Sequence, residues 1–259
     1  MTYRRILAVL LLAGFPPGLA ASPALDSLLA CMRANIPQTL RIQSFELVSV
    51  DRGGGERRLQ GRLYGQREQD LLRVMLRLEA PTDLRGAAYL LREADPASDE
   101  MYVFLPALNK VRRVAGGTRD NGLFGTDFSY NDLKQIHHAF AGGEMRLLAP
   151  QTLDGRPVQL LDLRPGAAAD TRFDQIQAWV DSASCVALKI EFSRAGKLHK
   201  RLRAPAAELR QSGPHWYAGS ALMEDLEAGT QTRLRITGVV SGEDLAGRYF
   251  NPRMFHIGN

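Results

Sequence analysis

At 259 residues, with 45% apolar and 24% charged residues, the chain carries enough apolar content to bury a core, and general disorder is excluded. Its formal charge of +5 includes Arg4 and Arg5 of an N-terminal leader, and without them 31 Lys and Arg face 28 acids. A balance that close, with its basic residues scattered, argues against a nucleic-acid partner and suits at most transient contact with an anionic membrane surface.

Arg4 and Arg5 precede an apolar run from Ile6 to Phe15, and Gly18-Leu19-Ala20 supplies small residues at the cleavage positions. The pattern is that of a secretory signal peptide over residues 1–20, with an uncleaved anchor as the competing reading; the run is short for a membrane span. Residues 21–259 then form one exported, periplasmic domain, since no repeat, low-complexity segment or linker divides them. Leu25, Leu28, Leu29, Met32 and Ile36 recur at helical spacing between Pro23 and Pro37, which predicts an amphipathic helix over Ala24 to Ile36. It either packs on a sheet or serves as a lid over a cavity.

From Thr39 onward the period is two. Arg41 to Val50 and Arg57 to Tyr64 flank a Gly-rich hairpin turn. Leu72, Val74, Leu76 and Leu78 then alternate with Arg73, Met75 and Arg77. Ala87 to Arg92, Met101 to Leu105 and Val111 to Val114 continue the series. Asp132 to His138 reads as a helical turn closed by Ala141 to Gly143, and strands resume at Glu144 to Leu148 and Val158 to Leu163. Gln175 to Val180 precedes Cys185 to Phe192, in which Val186, Leu188, Ile190 and Phe192 point one way and Lys189 and Glu191 the other. Leu198 to Leu202, His215 to Leu226 and Thr232 to Val240 follow, with a short terminal helix starting over Ser241 to Asp244. The fold class is mainly β (α+β): about eleven strands in a single, strongly curved antiparallel sheet, an incomplete barrel with the N-terminal helix and short helices as its lid. No crossover helices separate the strands, which excludes a parallel α/β fold, and an open sheet of that size must curl or be covered.

No catalytic residue and no metal site is indicated. His137 and His138 are adjacent and diverge on a helix, and His199, His215 and His256 lack a ligand-spaced partner. There is no nucleophile elbow and no phosphate loop with Lys, and no cofactor is called for. Cys31 and Cys185 either bridge, tying the first helix to a central strand, or remain as buried thiols. Leu28-Leu29-Ala30-Cys31 is not a lipobox, because Pro16, Pro17 and Asp26 separate it from the apolar run.

The stretch Met101 to Leu133 carries the most specific signal. Tyr102, Leu105, Pro106, Ala107, Leu108, Lys110, Val111, Arg112 and Arg113 are followed by Phe124, Gly125, Thr126, Asp127, Phe128, Ser129, Tyr130, Asp132 and Leu133. This resembles the signature of the LolA-like outer-membrane lipoprotein-sorting family. Leu123-Phe124-Gly125 departs from the usual Phe-Met-Gly and shifts the aromatic by one place. Weaker similarity runs through Ala80-Pro81, Gly86 and Ile190 to Lys200. The resemblance implies an incomplete β-barrel with a helical lid that binds lipid or acyl chains in the periplasm, and association with an inner-membrane permease of the resistance-nodulation type.

Tyr102, Phe104, Phe124, Phe128, Tyr130, Trp179, Phe192 and Trp216 are the candidate lining of an apolar ligand cavity, with ordinary core as the alternative. Asp127 and Asp132 read as fasteners of their own loop rather than acid/base groups. Arg112 and Arg113 alternate faces, so one at most turns inward, toward Asp127 or a cargo head group. The expected function is a periplasmic carrier moving an acyl chain, lipid or lipoprotein anchor toward the outer membrane. The alternative is an accessory subunit of a permease without lipid transfer of its own.

Overall fold

The computed structural model describes residues 23–94, 99–132, 143–166, 171–242 and 247–257. The signal-peptide segment, His137 and His138 lie outside them. Helix α1 spans Pro23–Ala34, with Pro23 opening it, Asp26 in its first turn and Arg33 in its last. Its buried stripe is Leu25, Leu28, Leu29 and Met32, each worth about 1.5–3 kcal/mol once out of water.

Six strands follow as a meander: β1 (Leu40–Val50), β2 (Glu56–Glu68), β3 (Leu71–Ala80), β4 (Ala88–Arg92), β5 (Glu100–Leu105) and β6 (Lys110–Arg113). The second half comprises β7 (Gly143–Leu147), β8 (Gln151–Leu153), β9 (Arg156–Pro165), β10 (Gln175–Asp181), β11 (Ala187–Arg194), β12 (Lys197–Arg203), β13 (Leu209–Ser212), β14 (His215–Ala218), β15 (Ser220–Asp225) and β16 (Thr230–Gly242). Fourteen strands make one antiparallel sheet in the order β6-β5-β4-β3-β2-β1-β16-β15-β12-β11-β10-β9-β7, with β8 beside β9. The first and last strands meet at its centre, where Leu47 lies opposite Leu234. The sheet is curved and does not close; β6 and β7 are its free edges, and residues 114–132 lead away from one of them.

The strand count exceeds the expected eleven because some strands are divided or set by tertiary contacts. His215 to Leu226 is two strands, because the chain turns at Gly219, whose N–H donates to Glu208 O (2.7 Å) and whose missing Cβ would sit 2.8 Å from that oxygen. β14 therefore pairs with β13 in a separate hairpin while β15 joins the main sheet. Ser241 and Gly242, expected in a terminal helix, are the last residues of β16.

Period-two patterning sorts the side chains onto two faces. Leu72, Val74, Leu76 and Leu78 all enter the inner core together with the α1 stripe, whereas Met75 joins an outer cluster with Tyr64, Leu90, Phe104 and Phe255. Residues 247–257 cover that outer cluster, with Tyr249 stacked on Tyr64 at 4.5 Å between ring centroids. At the sheet's other end Val158, Leu160, Trp179 and Leu188 form a second outer cluster. Bulges bend the strands. One of them lies between Trp179 and Val180, where Lys189 and Ala187 are the successive partners. Leu188 is the extra residue there, so it falls on the outer face, away from Ile190 and Phe192. Curvature also needs Gly61: a Cβ there would sit 2.2 Å from Arg77 O and 3.0 Å from the Phe45 ring.

Candidate functional site

Beneath the C-terminal end of α1, on the inner face of the sheet, lies a cavity of about 130 Å³. Met32 and Ile36 roof it. Its apolar floor includes Leu63, Ile190, Leu202, Ala221, Leu234 and Ile236 from β2, β11, β12, β15 and β16, and Phe128, Trp216 and Tyr217 wall it. Three polar side chains reach it: Asn35, Arg41 and Gln43. Arg41 and Gln43 occupy the inner-facing positions of β1 that Phe45 and Leu47 continue, and they are 7% and 5% exposed. Burial pulls the Arg41 guanidinium below its ordinary pKa.

The end of α1 is fastened beside this cavity. Cys31 is bonded to Cys185 (S–S 1.99 Å), so the bridge joins the helix to the turn between β10 and β11 rather than to a strand. Asn35 Nδ2 donates to Ser184 O (2.7 Å), and Asn35 Oδ1 accepts from Trp216 N (2.8 Å). His215 Nδ1 donates to Ala34 O at 2.8 Å, and Arg41 Nη1 to Asn35 O at 3.0 Å. The turn itself is held by Asp181, which accepts from Ser184 N (2.8 Å) and Oγ (2.7 Å) and from Arg156 Nε (2.7 Å). Burial works against ionisation of Asp181, but the Arg156 and Ser184 hydrogen bonds outweigh it and lower its pKa to about 2. The C-terminal end of the helix is thus anchored beside the cavity.

Residues 122–132 form the lip of the cavity. Phe128 N–H and carbonyl sit in a tight loop in which Leu123 N donates to Phe128 O (2.6 Å). Phe124 adopts a left-handed backbone (φ 53°) and packs on the inner core from a half-buried position. Asp127 accepts hydrogen bonds from Thr230 and Thr232 (Oγ1 to Oδ2 2.6 Å) of β16. Asp132 and Ser129 cap the helical residues 130–132 reciprocally: Ser129 N donates to Asp132 Oδ2 (2.6 Å) and Asp132 N to Ser129 Oγ (3.2 Å). Asp132 also receives Lys200 Nζ in a fully buried ion pair. Tyr89 OH donates to Tyr130 O at 3.1 Å, and burial raises both phenol pKa values, Tyr89's furthest.

Of the expected lining residues, Phe128 and Trp216 face the cavity. Phe124, Tyr130 and Phe192 belong to the inner core around it. Tyr102, Phe104 and Trp179 do not: they sit on the opposite face, because their strand neighbours Met101, Val103, Ala178 and Val180 take the inner positions. Trp179 instead holds Lys189 Nζ over its ring at 3.4 Å and donates to Gln151 (2.8 Å). Arg112 and Arg113 are exposed on edge strand β6, opposite Val103 and Tyr102. Neither has an ion-pair partner among the described residues. Asn35, Arg41 and Gln43 were not among the expected site residues. The signal that could have found them is the pair of polar residues at core-facing positions 41 and 43. Among the described residues no group of three or more His, Cys, Asp or Glu is placed to hold a metal ion.

The fold is a curved, unclosed antiparallel sheet with a helix over an apolar cavity on its inner face. Solved structures share it, and three of them are similar over most of the chain. They are an outer membrane lipoprotein-sorting protein domain from Vibrio parahaemolyticus (TM-score 0.79, 21% identity, covering 89% of this chain and 97% of that one), a DUF1329 family protein from Desulfovibrio piger (0.79, 19%, 87% and 95%), and a LolA superfamily protein from Nitrosomonas europaea (0.67, 18%, 87% and 96%). A family model described only as an uncharacterized protein matches residues 72–256, and the chain belongs to that family. The LolA-like resemblance drawn from Met101 to Leu133 is matched at the level of the fold. No curated protein matches the sequence.

Proposed function

We propose that this protein is a periplasmic carrier that takes an acyl chain of a lipid or lipoprotein anchor into the cavity under α1 and moves it toward the outer membrane. The observation that carries the reading is the cavity itself: mostly apolar, on the inner face, and roofed by a helix bridged to the β10–β11 turn. Each methylene buried there contributes about 0.8 kcal/mol, so a chain is held without covalent chemistry and with little demand on its identity. The lipoprotein-sorting description of the Vibrio parahaemolyticus domain agrees with this reading. A Cys31–Cys185 bridge suits an oxidising compartment, as does the leader over residues 1–20. Protein purified from its host should carry extractable lipid, identified by mass spectrometry. Lipid-free protein that also takes up no fluorescent fatty acid would sink the proposal.

An accessory role at a permease draws on one observation, the exposed edge β6 with Lys110, Arg112 and Arg113. Charged edges also serve simply to keep strands from pairing, so the carrier reading is preferred. Crosslinking in intact membranes separates the two, since a fixed partner without lipid transfer belongs to the accessory role.

A further inference from the structure

The polar residues of the cavity are unevenly employed. Asn35 employs both ends of its amide, donating to Ser184 O and accepting from Trp216 N. Gln43 makes no side-chain hydrogen bond among the described residues although it is 5% exposed. Arg41, 7% exposed, makes one, from Nη1 to Asn35 O, and lies 5.9 Å from the Tyr217 ring centroid. Arg73, equally buried at 7% exposed, serves Glu68, Leu72 O and Glu93 O. Arg41 has no carboxylate within ion-pair distance among the described residues. A guanidinium has five N–H donors in a planar fork matched to carboxylate and phosphate, and burying one without an anion is costly.

Size restricts the occupant. About 130 Å³ is close to the cavity of about 150 Å³ that holds benzene, so it takes the first few methylenes of one chain and not two or three chains side by side. We propose that Arg41 and Gln43 are the head-group site of this cavity and that the ligand is a single-chain anionic amphiphile, its carboxylate or phosphate on Arg41 and its adjoining methylenes among Leu63, Leu234 and Ile236. This rests on the carrier reading and narrows it, from any acyl cargo to one chosen by head-group charge. Gln43 supplies an amide donor two residues along the same strand face, suited to the second oxygen of the anion. The hydrogen bond from Arg41 to Asn35 O couples head-group binding to the anchored end of α1.

The test uses decanoate, decyl phosphate and decanol, which share one chain and differ in head, as competitors against a fluorescent fatty acid on the full mature protein at neutral pH. An anion on a buried guanidinium should give roughly a tenfold to hundredfold preference over decanol, the range for a charge-assisted hydrogen bond. Whichever anion wins, decanoate or decyl phosphate, identifies a fatty-acid or a phospholipid-type head. Arg41→Met should bring that ratio close to one, and measurable decanol binding by the same variant, at whatever affinity, shows that the cavity still forms without the bond to Asn35. Arg41→Lys should keep part of the preference. Equal binding of anion and alcohol by the unaltered protein, or a preference that persists in Arg41→Met, overturns the head-group assignment. Failure of all three ligands to bind is a different result, which removes the carrier reading itself and this inference with it.

Discussion

Asp127 and Thr232 exchange two hydrogen bonds across 105 positions of sequence: Asp127 N donates to Thr232 Oγ1 at 2.9 Å, and that hydroxyl donates to Asp127 Oδ2 at 2.6 Å. Thr232 is fully buried at the centre of the sheet and also accepts from Ser49 Oγ (2.9 Å). An aspartate in an aromatic loop invites a catalytic reading, but its oxygens are spent on holding the lip to β16. Thr232→Val keeps the shape and removes those bonds. It should destabilise the protein by about 1–3 kcal/mol, seen as a lower urea midpoint with unchanged m-value.

The Lys200–Asp132 pair joins the end of the lip to β12 with both side chains nearly inaccessible (4% and 2%). Lys200→Met leaves a buried carboxylate without its counter-charge, and the expected loss is about 3–5 kcal/mol. Adding Asp132→Asn should restore much of it. A double-mutant cycle by chemical denaturation measures the coupling, and additive losses would contradict it.

The disulfide closes a loop of 154 residues between the helix and the β10–β11 turn. Replacing both cysteines by serine should cost about 2–5 kcal/mol. It should also speed exchange of a bound fluorescent fatty acid, because α1 loses its covalent anchor. Equal exchange rates in bridged and serine forms would argue against α1 as the cover of the cavity.

Asp181 gives stability a defined acid limb. Its folded pKa of about 2 lies below the ordinary 3.8, so its contribution is fully present above pH ~4 and disappears as pH falls through about 2. The difference amounts to roughly 2 kcal/mol. Asp181→Asn should flatten the pH dependence of the urea midpoint between pH 4 and 2 relative to the unaltered protein.

Two substitutions on opposite faces test where the cargo lies. Ala221→Phe fills the cavity from β15 and should abolish fatty-acid uptake at a cost of about 1–3 kcal/mol in stability. Trp179→Ala removes a larger side chain from the outer cluster and should cost about 3–5 kcal/mol while uptake stays the same in the folded protein.

Some of this architecture is written locally. Leu25, Leu28, Leu29 and Met32 state a helix, and Leu72 to Leu78 state a half-buried strand, because each pattern depends on residues within one or two turns or pleats. The bond from Ser129 N to Asp132 was legible for the same reason, since a short polar side chain bonds to nearby backbone, whereas the Asp127 carboxylate reaches across to Thr230 and Thr232 of β16. The split at Gly219 and the small strands β8 and β13 were not, because their boundaries depend on contacts with distant chain such as Glu208 O.

The sequence by itself determined the class of fold and the density of aromatics around Met101 to Leu133. Which face each aromatic takes was decided only in three dimensions. Tyr102, Phe104 and Trp179 look like cavity residues by type, yet a strand has two faces, and both are covered here by apolar partners. Residues 247–257 cover one outer region and the segment around Ala206 another. The cavity's polar pair was hidden for the converse reason. Arg41 and Gln43 are unremarked polar residues in a strand until β1 is paired between β2 and β16 and α1 folds over them, which takes their side chains out of water.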